Sequence, residues 1–174
     1  MAERSNRIRW TALSVGVGVV ALIGLLAFGS DDRLSTASRV VGERVPEVAG
    51  TTIHGERYDI DNARGRWVVV NFFATWCGPC ISEHPELVAF DQWAEETGEA
   101  ELVAVVFNDP VDRVTEFFEA NGGDWPVLDE PSLPLEFQVS RIPETFVVAP
   151  SGQVVQQFQS EVTAQALIDV IEGR

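Results

Sequence analysis

Apolar residues fall along this chain in blocks whose spacing alternates between strand-like and helix-like. The densest block is Trp67-Val68-Val69-Val70-Asn71-Phe72-Phe73-Ala74, a near-continuous run that suits a central strand covered on both faces. Asn71 alone interrupts it. From Pro79 the period changes. Ile81, Leu87, Val88, Phe90 and Trp93 fit a helix running to about Thr97, with Gly98 as the stop. Pro85 lies inside that pattern, removes the bond to the carbonyl of Ile81 and predicts a kink. Residues 102–107 read as the next buried strand, and 112–120 as a helix ended by Asn121-Gly122-Gly123. A short strand over 125–129, a short helix over 133–139 and, over 141–148, a loop entering another apolar strand follow. Pro150-Ser151-Gly152-Gln153 is a turn, 154–159 the closing strand and 163–171 a terminal amphipathic helix. Ahead of these, residues 51–60 have the pattern of a hairpin turning at His54-Gly55, with His54 solvated at the tip. The alternation predicts an α/β fold: a mixed central sheet flanked by helices, with an extra N-terminal β-hairpin.

The N-terminus is of another kind. Arg4, Arg7 and Arg9 precede an uncharged stretch over residues 11–28, and Asp31, Asp32 and Arg33 follow. About eighteen apolar residues is the minimum for one helical span, and leading arginines stay cytoplasmic. The pattern predicts a cytoplasmic segment over 1–10, a transmembrane anchor over 11–29, a polar linker over 30–44 and an exported domain over 45–174. A cleaved signal peptide is the alternative, since Ala27-Phe28-Gly29 offers small residues at a cleavage point. Either way the domain is exported.

The candidate chemistry lies where the first strand hands over to the first helix. Cys77 and Cys80, the only cysteines, sit there with two residues between them. Unpaired N–H groups at a helix start favour an anion, so Cys77 is expected to ionise more readily than a free cysteine. Cys80, one turn on, can close a disulfide with it. A zinc site wants about four ligands, and only His54 and His84 remain to supply them. A purely structural disulfide over so short a loop constrains little of the unfolded chain. The redox dithiol is the better reading. Glu83 follows Cys80 by three residues, on the same helix face. It is either an acid settled near the helix start or a group that raises thiol pKa values and relays a proton. His84 is expected to point elsewhere, toward the surface.

Composition narrows the partners. The chain carries 27 acidic residues against 12 basic ones and a net charge of −15. Such a surface repels nucleic acid and phosphate-bearing ligands; solubility accounts for the rest of the charge.

The segment Phe73-Ala74-Thr75-Trp76-Cys77-Gly78-Pro79-Cys80 resembles the active-site segment of the thioredoxin superfamily. Within it, the likeness from about Val45 to the C-terminus is to the membrane-anchored TlpA/ResA and CcmG/DsbE groups. The resemblance implies a thioredoxin-like fold whose only redox group is the Cys77–Cys80 pair, with no cofactor or metal. It implies that Trp76, Gly78 and Pro79 scaffold the site, with Trp76 packing over it. Ile142-Pro143-Glu144-Thr145 resembles the superfamily's cis-proline loop, which faces the dithiol and offers the backbone before the proline to an extended substrate. Without the resemblance, a trans bond is the default. Asn71 stands where thioredoxins proper carry a buried acid, as in TlpA-like groups. Glu83 and Glu144 match acids credited there with tuning the thiols. The implied substrate is a disulfide-bearing exported protein, with apocytochrome c as the candidate, and the implied electron donor is a membrane protein of the CcdA or DsbD type.

Three rivals remain at this stage. A disulfide-donating oxidase uses the same chemistry in reverse. A thiol peroxidase wants a Pro-x-x-x-Thr/Ser-x-x-Cys arrangement, which the residues before Cys77 lack. A tethered binding module with an incidental dithiol would need no redox activity.

Overall fold

The computed structural model describes residues 40–173. The expected cytoplasmic segment, anchor and most of the linker lie outside the described residues. Among the described residues no helix is long and apolar enough to cross a membrane.

The hairpin forms as its turn signal predicts: β1 (Ala49–Thr51) pairs antiparallel with β2 (Arg57–Asp59). A 3-10 turn over Ile60–Ala63 leads to β3 (Trp67–Phe73). Then come α1 (Gly78–Thr97), β4 (Ala100–Val106), α2 (Val111–Asn121), β5 (Val127–Leu128) and α3 (Leu133–Glu136). β6 (Glu144–Val148), β7 (Val154–Phe158) and α4 (Ala164–Glu172) complete the chain. The main sheet has the order β5-β4-β3-β6-β7, with β3 parallel to β4 and antiparallel to β6.

The apolar run of β3 is central because both of its faces are covered. Val69 and Phe73 point to one side with Val147 of β6, into a core with Leu87 and Phe90 of α1, Val114 and Phe118 of α2, and Leu167 of α4. Val68, Val70 and Phe72 point to the other, with Phe146, Val148, Leu133 and Phe137. Full burial of each such side chain contributes roughly 1.5–3 kcal/mol. Aromatic contacts add direction: Phe73 lies 4.9 Å from Phe117 and 5.4 Å from Phe118, and Phe72 meets Phe137 edge-on at 5.3 Å. The longer helices α1, α2 and α4 share the first face. The second is closed by α3, the 3-10 turn and residues at the N-terminal end.

That end begins earlier than the polar pattern over 30–44 suggests. Val40 is buried in the second core. The Gly42 N–H donates to Val154 O at 2.8 Å, Val154 N–H donates to Glu43 O at 3.0 Å, and Val45 N–H donates to Gly152 O at 2.9 Å. Residues 40–44 therefore run along β7 as part of the fold. At the opposite rim, the Ile53 N–H donates to Val127 O at 2.8 Å and the Asp129 N–H to Thr51 O at 3.3 Å.

Candidate active site

β3 ends at Phe73, and the next four residues turn the chain into α1. Cys77 is the N-cap of that helix, with extended backbone (φ −90°, ψ 103°), and its Sγ accepts from the Cys80 N–H at 3.2 Å. A sulfur in this position receives the helix's unpaired donors, the arrangement that favours a thiolate. Pro79 fits the first turn because its missing N–H has no helical partner there. α1 continues through Pro85 and stops at Gly98, in the left-handed region at φ 69°, whose N–H returns to Ala94 O.

Cys77 and Cys80 form a disulfide with Cα atoms 5.2 Å apart. Cys77 is 5% exposed and Cys80 is fully buried, so Cys77 carries the outer sulfur of the pair. The turn before them is fixed by β4's far end. Asp109 Oδ2 accepts from the Thr75 N–H and, at 2.7 Å, from the Thr75 hydroxyl, while the Trp76 indole N–H donates to Asn108 O at 3.1 Å. Trp76 leans on Phe107 yet stays 56% exposed, an apolar surface next in the chain to Cys77. Asn108 and Asp109 thus brace the site from the carboxyl end of a parallel strand, where functional loops gather.

The Ile142–Pro143 bond is cis. Pro143 is buried, and Ile142 packs against the core that holds both cysteines. Thr145 and Asn71 are register partners across β6 and β3, pointing to the dithiol's side of the sheet. Asn71 Nδ2 donates to Thr145 Oγ1 and to Glu83 Oε1, both at 2.9 Å.

Glu83 is 2% exposed. Its second oxygen, Oε2, accepts from the Val162 N–H at 3.0 Å, just before α4. Burial pushes its pKa up to about 7, against the lowering effect of the Asn71 and Val162 bonds; Glu161 adds a smaller push upward. A carboxyl that changes charge near neutrality thus sits one turn behind Cys80.

Glu144 is placed differently. Its register partner is Phe72, which faces the second core, so its side chain turns to the sheet face opposite Glu83. There Gln157 and Gln159 of the β7 segment donate to its Oε1. Burial raises its pKa, countered by those two bonds and by Arg141. The two acids expected beside the thiols are therefore separated by the sheet.

His84 corrects the expectation of a surface residue. It is 3% exposed, boxed by Phe117 at 4.9 Å, Phe118 at 5.3 Å and Trp125 at 5.4 Å. Its Nε2 lies 2.9 Å from Gly122 O, at the end of α2. Burial lowers its pKa, more than the backbone bonds to Gly122 and Asn121 raise it. His54 is exposed, as its turn position predicts.

A disulfide at a helix N-cap, a cis-proline leading into β6 and a mixed five-stranded sheet define a thioredoxin-fold protein with a paired dithiol. The chain belongs to the Redoxin family, whose model matches residues 40–170. It is 30% identical over 130 residues to the thiol-disulfide oxidoreductase ResA of Bacillus subtilis, covering 74% of this chain and 72% of that one. To the thiol:disulfide interchange protein HelX of Rhodobacter capsulatus it is 27% identical, covering 86% and 85%. The solved structure of a thioredoxin-family thiol:disulfide interchange protein from Chlorobium tepidum superposes with a TM-score of 0.67 at 28% identity, covering 74% and 92%. The protein is a protein-disulfide oxidoreductase of the TlpA/ResA/CcmG-like group in the thioredoxin superfamily.

Proposed function

We propose that this oxidoreductase works as a reductant of disulfides in exported proteins, tethered to the membrane by residues 11–29, with its domain on the extracytoplasmic side. The observation that carries the direction is Glu83, buried one turn behind Cys80 and bonded to Asn71 and Val162. An ionised carboxylate there opposes a thiolate at Cys80 and so disfavours the reduced form. A pair whose reduced form is disfavoured gives up its electrons readily.

The exchange balances on the pair alone. The Cys77 thiolate attacks a substrate sulfur, forms a mixed disulfide and releases one substrate thiolate. The Cys80 thiol passes its proton to Glu83, attacks Cys77 Sγ and releases the second. Two electrons go to the substrate, and the Cys77–Cys80 disulfide of the structure is regenerated. Glu83, rather than Glu144, is the proton group, because it shares the sheet face and helix of Cys80. The cis Ile142–Pro143 segment receives the substrate backbone, and Trp76 and Ile142 flank it. A membrane donor of the CcdA or DsbD type would restore the dithiol. Apocytochrome c suits as substrate, since its paired haem-attaching cysteines must be reduced; the resemblance of the active-site segment to the CcmG/DsbE group supports that choice.

Equilibration with glutathione tests the direction. A potential well below that of the glutathione pool is expected, whereas a value near the −120 mV of a strong oxidant would overturn the reductant reading.

A further inference from the structure

Glu83 is linked to the rest of the site through one neutral side chain. Asn71 is 1% exposed. It spends its amide N–H groups on Glu83 Oε1 and Thr145 Oγ1, and its own Oδ1 is buried with no partner among the described residues. A buried acceptor left empty is unusual and calls for a reason. Thr145 stands two residues beyond the cis-proline, so a polar chain runs from β6 through Asn71 of β3 to Glu83 of α1 and on to the Val162 N–H.

We propose that Asn71, set against Thr145, is a positioning residue for proton exchange at Glu83, turning its amide over to match the proton state of the carboxyl. The argument is one of donors and acceptors. Ionised Glu83 only accepts, and the orientation in the structure supplies it with a donor. Protonated Glu83 must donate, and an amide N–H cannot receive that hydrogen. A half-turn of the amide about its soft terminal torsion places Oδ1 where Nδ2 was. It then accepts from Glu83 and from the Thr145 hydroxyl, which donates as readily as it accepts. The empty Oδ1 marks the side to which the NH2 group moves. An aspartate at this position would set a second charge against Glu83; a leucine would offer it nothing in either state.

This inference rests on Glu83 being the proton group of the exchange. Other titratable groups around Glu83 are Glu161 ahead of α4 and, on its own helix, His84 and Glu86; Cys77 and Cys80, joined as the disulfide, carry no proton. β6 contributes Glu144 on the opposite face, and Asn71 and Thr145 are neutral.

The test is carbon-13 carboxyl NMR of the full-length oxidised protein between pH 4 and 10, with the Glu83 signal assigned by its loss in Glu83→Gln. Disulfide reduction is followed over the same range. Asn71→Leu is expected to raise the Glu83 midpoint by about one pH unit or more, since a donor to the charged form is lost. Thr145→Val moves it in the same direction by less, and Thr145→Ser restores the wild-type value. Asn71→Asp, nearly the same shape, serves if the leucine variant does not fold, and splits the titration into two coupled steps. An unchanged midpoint in Asn71→Leu, or a single unshifted step in Asn71→Asp, overturns the role of Asn71. If Glu83→Gln leaves the pH profile of reduction as in the wild type, the assignment of Glu83 falls, and the inference with it. If Glu83→Gln alters the profile while Asn71→Leu leaves the midpoint in place, only Asn71 is excluded.

Discussion

Replacing Glu83 with glutamine is expected to change how stability depends on pH. In the folded protein burial holds the Glu83 pKa at about 7 against an ordinary 4.5, so folding favours the protonated carboxyl. Its contribution is fully present below about pH 4.5 and is lost as pH rises through 7. That difference in pKa corresponds to about 3 kcal/mol of stability withdrawn between those limits. Glutamine cannot ionise, so the loss disappears. It keeps one acceptor for two donors, Asn71 Nδ2 and the Val162 N–H, which costs about 1–3 kcal/mol at every pH. The expected result is a crossover: the variant is weaker than wild type near pH 5 and level with it or stronger above pH 8. Urea unfolding of both oxidised proteins at several pH values measures this. The difference between the two curves cancels groups they share, such as Asp91, whose pKa is raised to about 6 by burial and then by Glu95 and Asp124. Parallel curves from pH 5 to 8 would show that Glu83 carries no unusual pKa and would remove the basis for its role.

Cys80→Ser is expected to accumulate a mixed disulfide through Cys77, visible by mass spectrometry, while Cys77→Ser forms none; adducts of equal yield would reverse the order of the two sulfurs. His84→Phe should flatten the acid side of the stability profile. The native imidazole is held below its ordinary 6.5 by burial, so its contribution is present above pH 6.5 and lost below, and thermal unfolding at pH 5 and 7.5 reads the change. The same substitution leaves Gly122 O unpaired and costs about 1 kcal/mol at neutral pH. Gly123→Ala should lower stability by roughly 1–3 kcal/mol. Gly123 sits at φ 107°, and a Cβ there would stand 2.8 Å from the Trp125 ring. Denaturant midpoints check this.

What was legible in the sequence was local. The apolar run of residues 67–74, the glycine stop at Gly98 and the two-residue spacing of Cys77 and Cys80 each predict their own surroundings, and the structure follows them. Asn71 was visible as an interruption, but its two bonds were not, because Glu83 and Thr145 come from other elements. His84 was misjudged for a related reason. The helix pattern of α1 counts Ile81 as an inward residue, yet Ile81 is 43% exposed and His84 is buried, since Phe117 and Phe118 of α2 close over that side. Glu144 lies in a motif whose position in the chain says nothing about which side of the sheet it faces; register with Phe72 decides that. Val40 to Arg44 looked like linker because two backbone bonds to the β7 end leave no mark in a polar sequence.

The two rims of the main sheet have a further consequence. Unpaired strand edges recruit other chains into aggregates. Residues 51–53 close the β5 side, and residues 42–45 lie over the Val154 end of β7. The lead-in to the domain is thus a selvedge. A version trimmed to start at Pro46 would lose the binding on its β7 side, leaving a frayed border where other chains could catch.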